Sequence, residues 1–216
     1  MIKSYLFDFD GTLVDSMPTY EKMILRLLDR EKIQYDNNII NIITPLGTVA
    51  TAHYLVGLGV KMTVEEILEL MRQELIYEYE HNIPTKSNVA QTVKKLKNEG
   101  ASLSVLTASP HVSLDPCLKN NGIYEHFDNI WSCDDDFGIT KTNPQIYIKT
   151  SEIISACPKD ILFVDDNLDA LKTAKAAGMT TCGIYDLSSD GYTQQIKEAA
   201  DFYVYDFKEL LELPLD

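Results

Sequence analysis

Tyr5-Leu6-Phe7-Asp8-Phe9-Asp10-Gly11-Thr12-Leu13-Val14 is a short apolar run that ends in two carboxylates, two residues apart, and a Gly-Thr turn. Strand side chains alternate between faces, so residues i and i+2 share one. A strand over residues 4 to 9 would project Asp8 and Asp10 together from its carboxyl end. Open α/β sheets bind ligands at that edge. Two neighbouring carboxylates can hold a divalent cation, supply a nucleophile or move a proton. A single Asp at a strand end is more often an Asx turn or a cap. An accidental Asp-x-Asp-Gly-Thr, however, is expected in on the order of a few per thousand chains of this length.

Outward from this stretch the pattern changes twice. Residues 18 to 81 read as helical throughout. Pro18 suits a first helical position, and Tyr20, Met23, Ile24, Leu27 and Leu28 follow helical spacing. Thr63-Val64-Glu65-Glu66 has the form of a capping box. Thr44-Pro45-Leu46-Gly47 reads as a turn. Beyond Ile83-Pro84, helices alternate with short β-rich runs. Residues 86 to 98 read as a basic amphipathic helix ended by Gly100. Strands are predicted at Ser102 to Thr107, Ile130 to Ser132, Asp160 to Asp165, Thr180 to Tyr185 and Phe202 to Tyr205. The unbroken apolar run Ile161-Leu162-Phe163-Val164 suits a parallel strand covered on both faces.

This alternation predicts an α/β fold, a doubly wound parallel sheet with an all-helical insertion. Residues 1–15 and 84–216 would form the α/β core, and 16–83 the helical insertion. In a parallel sheet the strand ends share one edge. Asp8 and Asp10, Thr107-Ala108-Ser109, Asp165-Asp166, and Lys141 at the start of a helix following the Trp131 strand are therefore expected to converge there.

Composition narrows the partners. The chain has 216 residues, 45% of them hydrophobic, enough to fill a packed core. A net charge of −14 argues against nucleic-acid or anionic-membrane partners. A local cation and one well-placed lysine can still reverse the field inside a pocket. Cys117, Cys133, Cys157 and Cys182 form no Cys-x-x-Cys pair, so buried or partly buried thiols are expected rather than a zinc or redox site. No signal-peptide pattern and no long apolar span are visible, and a cytoplasmic location is the expectation. The oligomeric state is open, with a monomer favoured. His53, His81, His111 and His126 show no ligand spacing and read as ordinary surface residues, and Asp134-Asp135-Asp136 as a solvated loop.

With these residues in place, the chain resembles the haloacid dehalogenase-like hydrolases, in their phosphatase branch. Asp8-Phe9-Asp10-Gly11-Thr12 matches the family's first motif and Thr107 the second. Lys141, with Pro144 and Tyr147 downstream, matches the third, although Thr142 replaces its first proline; Asp165-Asp166 matches the fourth. The resemblance covers essentially the whole chain and implies a helical cap between the first two motifs. It further implies Mg2+ held by Asp8, the Asp10 carbonyl and Asp166, with Asp165 binding directly or through water. Asp8 would be the nucleophile and Asp10 the general acid and base. Thr107, Ala108, Ser109 and Lys141 would bind the phosphoryl group, and Thr44 and Tyr20 would face the leaving group. The implied activity is hydrolysis of a small phosphorylated metabolite. A phosphomutase of the β-phosphoglucomutase type and a non-enzymatic phosphometabolite binder are the alternatives. The mutase type tends to carry His and Trp early in the cap, where Tyr20 and Ile24 stand. A binder has no use for Asp10.

Overall fold

The computed structural model describes residues 2–36, 38–43 and 46–215. The chain divides into two compact units, Met1–Asp15 with Ile83–Asp216, and Ser16–Asn82.

The first unit opens with β1 (Ser4–Phe7), every residue of which is buried. Its remaining strands are β2 (Ser102–Thr107), β3 (Asn129–Ser132), β4 (Ile161–Asp165), β5 (Thr180–Ile184) and β6 (Phe202–Val204). They form one parallel sheet in the order β3-β2-β1-β4-β5-β6. The chain leaves β1 toward β2 and β3 and later returns to β1's other side with β4. The carboxyl ends of β1 and β4 therefore flank the point where winding reverses, the ligand-binding position of such sheets. Parallel strands need long crossovers, and helices supply them, covering both faces. Leu6 and Phe163 pack on one face with Ile146, Tyr147, Leu171 and Ala174. Phe7 takes the other face, where its ring meets Phe127 and Phe207.

The second unit holds α1 (Met17–Arg30), α2 (Ile39–Ile43), α3 (Gly47–Gly57) and α4 (Val64–His81), with no strand among its described residues. Met23, Ile24, Leu27, Leu28, Leu55 and Ile67 form its core. Helix α4 starts as its sequence predicts. Glu66 N–H donates to Thr63 Oγ at 3.1 Å, and Thr63 N–H donates back to the Glu66 carboxylate at 2.8 Å.

Three local readings need correction. The opening strand stops at Phe7 rather than residue 9, because the chain turns at Gly11, where φ is +75°. Asp8 N–H still donates to the Val164 carbonyl at 2.9 Å, so Asp8 keeps its place on the sheet edge while Asp10 belongs to the turn. The basic helix is α5 (Val89–Asn98), not residues 86 to 98. Asn88 precedes it at φ +64°, which sets Lys86 free of the helix. Three cysteines are buried, but Cys157 is exposed, and all four are free thiols.

Packing under β5 is tight enough to test. A Cβ at Gly183 would lie 2.4 Å from Ile196 Cγ2 and 2.9 Å from the Tyr203 ring. Gly183→Ala is expected to cost about 1–3 kcal/mol through overpacking. The thermal midpoint should fall by several degrees, read by calorimetry against the parent protein.

Candidate active site

Asp8 leaves β1 buried, and its carboxylate accepts from the Lys141 ammonium. Lys141 also donates to Asp165 Oδ2 at 2.9 Å. Lys141 does not begin a helix. It sits in the turn before α7 (Gln145–Ile154), after the single π-helical turn Cys133–Phe137 that follows β3. Tyr147 on α7 holds that turn. Its buried hydroxyl lies 3.0 Å from the Lys141 carbonyl and 3.1 Å from the Ala170 carbonyl, bridging the Lys141 turn to the first turn of the helix after β4.

Asp165 ends β4, and its other oxygen accepts the Asn167 N–H at 2.7 Å. The N-cap of α8 (Leu168–Ala176) is Asn167, which accepts from Asp169 and Ala170 N–H. Asp165 thus orients Lys141 and the loop rather than capping the helix. Asp166 lies against the first turn. Thr12 Oγ is 3.4 Å from its Oδ1, and a Cβ at Gly11 would come within 2.9 Å of both carboxylate oxygens. Glycine is required at that position twice over, by backbone angle and by space.

Asp10 is half-buried, and its Oδ2 accepts from Ser109 Oγ at 2.6 Å. Ser109 N–H donates to Thr107 Oγ at 3.0 Å, closing the loop after β2. Thr107 is buried and Ala108 exposed. Asp8, Asp10, Thr107, Ser109, Lys141, Asp165 and Asp166 all belong to the first unit. Tyr20 packs against the helical core of the second unit, its buried phenol oxygen without a hydrogen-bond partner among the described residues. Thr44 and Pro45 lie outside the described residues, and Leu46 is exposed.

The electrostatics show a shortage of positive charge. Lys141 is driven up despite burial, because Asp165 and Asp8 favour its charged form. Burial pushes Asp8 well above the usual carboxylate range; Lys141 pulls it back, while Asp165, Asp166 and Asp10 push it up. Burial, then Asp165 and Asp186, raise Asp166 to about 7. Asp8 and Asp165 share the Lys141 ammonium, and Lys86 adds a second positive charge near Asp166, yet burial and neighbouring carboxyls still raise Asp8 and Asp166. Ligand oxygens of Asp8, Asp165 and Asp166 lie within 4.8 Å of one another. An all-oxygen set with surplus negative charge fits a hard divalent cation such as Mg2+. The Asp10 carboxylate is not part of this trio.

His111, read as surface, and Lys86, read as part of a basic helix, both have partners here. His111 bonds Asp115 at 2.8 Å and Asp136 at 2.9 Å, and its N–H donates to Asp135 at 2.9 Å. It therefore ties the start of α6 (His111–Asn120) to the acidic turn. Lys86 was hidden in an apparent helix, and its ammonium is bound at the sheet edge. No local pattern points to it, since its partners lie up to 100 positions away.

A parallel sheet whose switch point carries this lysine and carboxylate set, with helices inserted after the first strand, defines a haloacid dehalogenase-like hydrolase. The family model of that description matches residues 5–184, and the chain belongs to this family, in its phosphatase branch. Pyrophosphatase PpaX of Bacillus thuringiensis (strain Al Hakam) is 27% identical over 228 residues, covering 100% of this chain and 97% of its own. A predicted phosphoglycolate phosphatase of Haemophilus somnus superposes with a TM-score of 0.75 at 25% identity, over 98% of this chain and 97% of its own. A Thermotoga maritima protein provisionally assigned as a β-phosphoglucomutase shares the fold, with a TM-score of 0.85 at 19% identity over 98% and 97% of the two chains. With phosphatase-named relatives along its length, the chain is a phosphoric monoester hydrolase. No helix among the described residues is long and apolar enough to cross a membrane.

Proposed function

We propose that this hydrolase is a Mg2+-dependent phosphatase of small phosphorylated metabolites that works through an aspartyl-phosphate on Asp8. The observation that carries the reading is the Asp8 carboxylate, held by Lys141 beside Asp165 and Asp166 at the sheet's switch point. An Asp8 oxygen attacks phosphorus as the bond to the leaving oxygen breaks. Asp10 gives that oxygen a proton, then takes one from the water that hydrolyses the acyl-phosphate. Ser109 holds Asp10 for this exchange. Lys141 and the Thr107 hydroxyl would stabilise charge on the phosphoryl oxygens. Asp8, Asp166 and the Asp10 carbonyl would hold the cation, which would neutralise charge on the transferring group. Asp165, which accepts from Lys141 and Asn167, would position Lys141 and meet the cation directly or through water.

Residues 1–15 and 84–216 are assigned as the catalytic core and 16–83 as a cap that selects the leaving group. Supporting this, the connectors to the helical unit pair with each other: Asp15 N–H donates to the Pro84 carbonyl at 3.0 Å, and Val14 bridges Thr85. The free thiols support a cytoplasmic location. The substrate is open to a panel of phosphate monoesters, with pyrophosphate included because of the name PpaX carries.

The leaving group tests the roles. Asp10→Asn should lose about 10²–10⁴ in kcat with an alkyl phosphate, the usual scale of general acid–base catalysis. With p-nitrophenyl phosphate the loss should be much smaller, because p-nitrophenolate leaves without a proton. Equal losses on the two substrates would remove leaving-group protonation by Asp10.

A further inference from the structure

Lys86 lies just past the boundary at Ile83, three residues before α5, and points inward. Its ammonium donates to the Gly11 carbonyl at 2.6 Å, the Tyr185 carbonyl at 2.6 Å and Asp186 Oδ2 at 2.9 Å. An ammonium has three donors, and here each meets an acceptor. The Lys86 side chain is 18% exposed and that of Asp186 6%. Asp186 is itself fixed, its Oδ1 accepting from Ser188 N–H at 2.9 Å and Ser188 Oγ at 2.6 Å. Lys86 N–H also donates to the Leu13 carbonyl at 3.0 Å. Side chain and backbone together clamp the turn that follows Asp10 and brace it on the segment after β5.

That turn touches the cation site. Gly11 packs its α-carbon side against the Asp166 carboxylate, and Thr12 Oγ approaches the same oxygen set. The peptide before the clamped one carries the Asp10 carbonyl. If the Gly11 carbonyl swings, the Asp10 carbonyl and the wall against Asp166 move with it. A counter-ion for Asp186 would need one of the three bonds; the other two go to backbone carbonyls, which have no charge to neutralise.

We propose that Lys86 is a positioning residue of this site: it fixes the Asp10–Thr12 turn against Asp166 and thereby sets divalent-cation affinity and turnover without touching substrate. The inference rests on the phosphatase reading above. Outer partners of metal ligands typically govern affinity or activity by 10–100-fold.

The test measures Mg2+ binding to substrate-free protein by calorimetry, and kcat and KM on p-nitrophenyl phosphate. Lys86→Met should weaken Mg2+ binding about tenfold and lower kcat about 10–100-fold, with KM unchanged. The double variant Lys86→Met/Asp186→Asn removes the orphaned charge and should not recover. Lys86→Cys in a Cys157→Ser background, alkylated with 2-bromoethylamine, rebuilds an ammonium at nearly the same reach and should recover. Should Lys86→Met fail to fold, Lys86→Gln carries the same comparison. Parental affinity and kcat in the single variant, or full recovery in the double variant, would overturn the proposal. Parental protein that neither binds Mg2+ nor turns over would instead overturn the phosphatase reading, and this inference with it.

Discussion

Asp8→Asn is expected to abolish turnover, by on the order of 10⁴–10⁶-fold, the scale seen when a nucleophile is removed from a preorganised site. The carboxamide occupies nearly the same volume at the end of β1, and the Asp8 N–H bond to Val164 is a backbone bond that survives. Lys141 keeps Asp165 as its second partner. Circular dichroism and the thermal midpoint should therefore report a folded protein. A neutral amide does not attack phosphorus, and no other carboxylate replaces it: Asp165 has both oxygens engaged and Asp10 is held by Ser109. Beryllium fluoride, which mimics an acyl-phosphate, should bind the parental protein and not the variant, read by fluorine NMR. Activity near the parental level in Asp8→Asn would exclude the covalent route.

Excess EDTA should bring activity to background, and Mg2+ should restore it. The reason lies in charge. Asp8, Asp165 and Asp166 bring ligand oxygens within 4.8 Å of one another, and Asp8 and Asp166 are both raised by burial and by neighbouring carboxylates. The ionised carboxylate is the form of Asp8 that attacks. A divalent cation bound there would favour the ionised forms before any substrate arrives. The same experiment has a structural readout: Mg2+ should raise the thermal midpoint, since a ligand that binds the folded state stabilises it by mass action. Undiminished turnover in EDTA would remove the metal from the reaction.

Much of this protein is legible in short stretches. The capping box at Thr63 was readable because its partners are three residues apart, within the reach of one helical turn. β4 was readable because a strand buried on both faces must be apolar along its length. Asp8 stood out because Asp-x-Asp-Gly-Thr after an apolar run is rare by chance, whereas a lone Asp at a strand end is not. The error at β1's end has a local cause as well: alternation fits Asp10, but the left-handed angle at Gly11 ends the strand first. The reading of residues 86 to 98 is three residues too long for α5, because amphipathic spacing says nothing about where Asn88 turns the chain.

What the sequence by itself determined is the set of chemical groups and the succession of strands and helices around them, since these depend on side-chain periodicity and caps acting over a few residues; Asp10, Lys86 and Lys141 each sit in a loop outside the element their spacing suggests. The tertiary structure alone decided the pairings. Lys141 reaches Asp8 across 133 positions, Thr12 reaches Asp166 across 154, Ser109 reaches Asp10 across 99, and Lys86 reaches Gly11 across 75. Those bonds exist because the sheet order brings the ends of β1, β2, β4 and β5 to one edge, and a buried ammonium or carboxylate brought there takes the partner within reach rather than the one nearby in the chain.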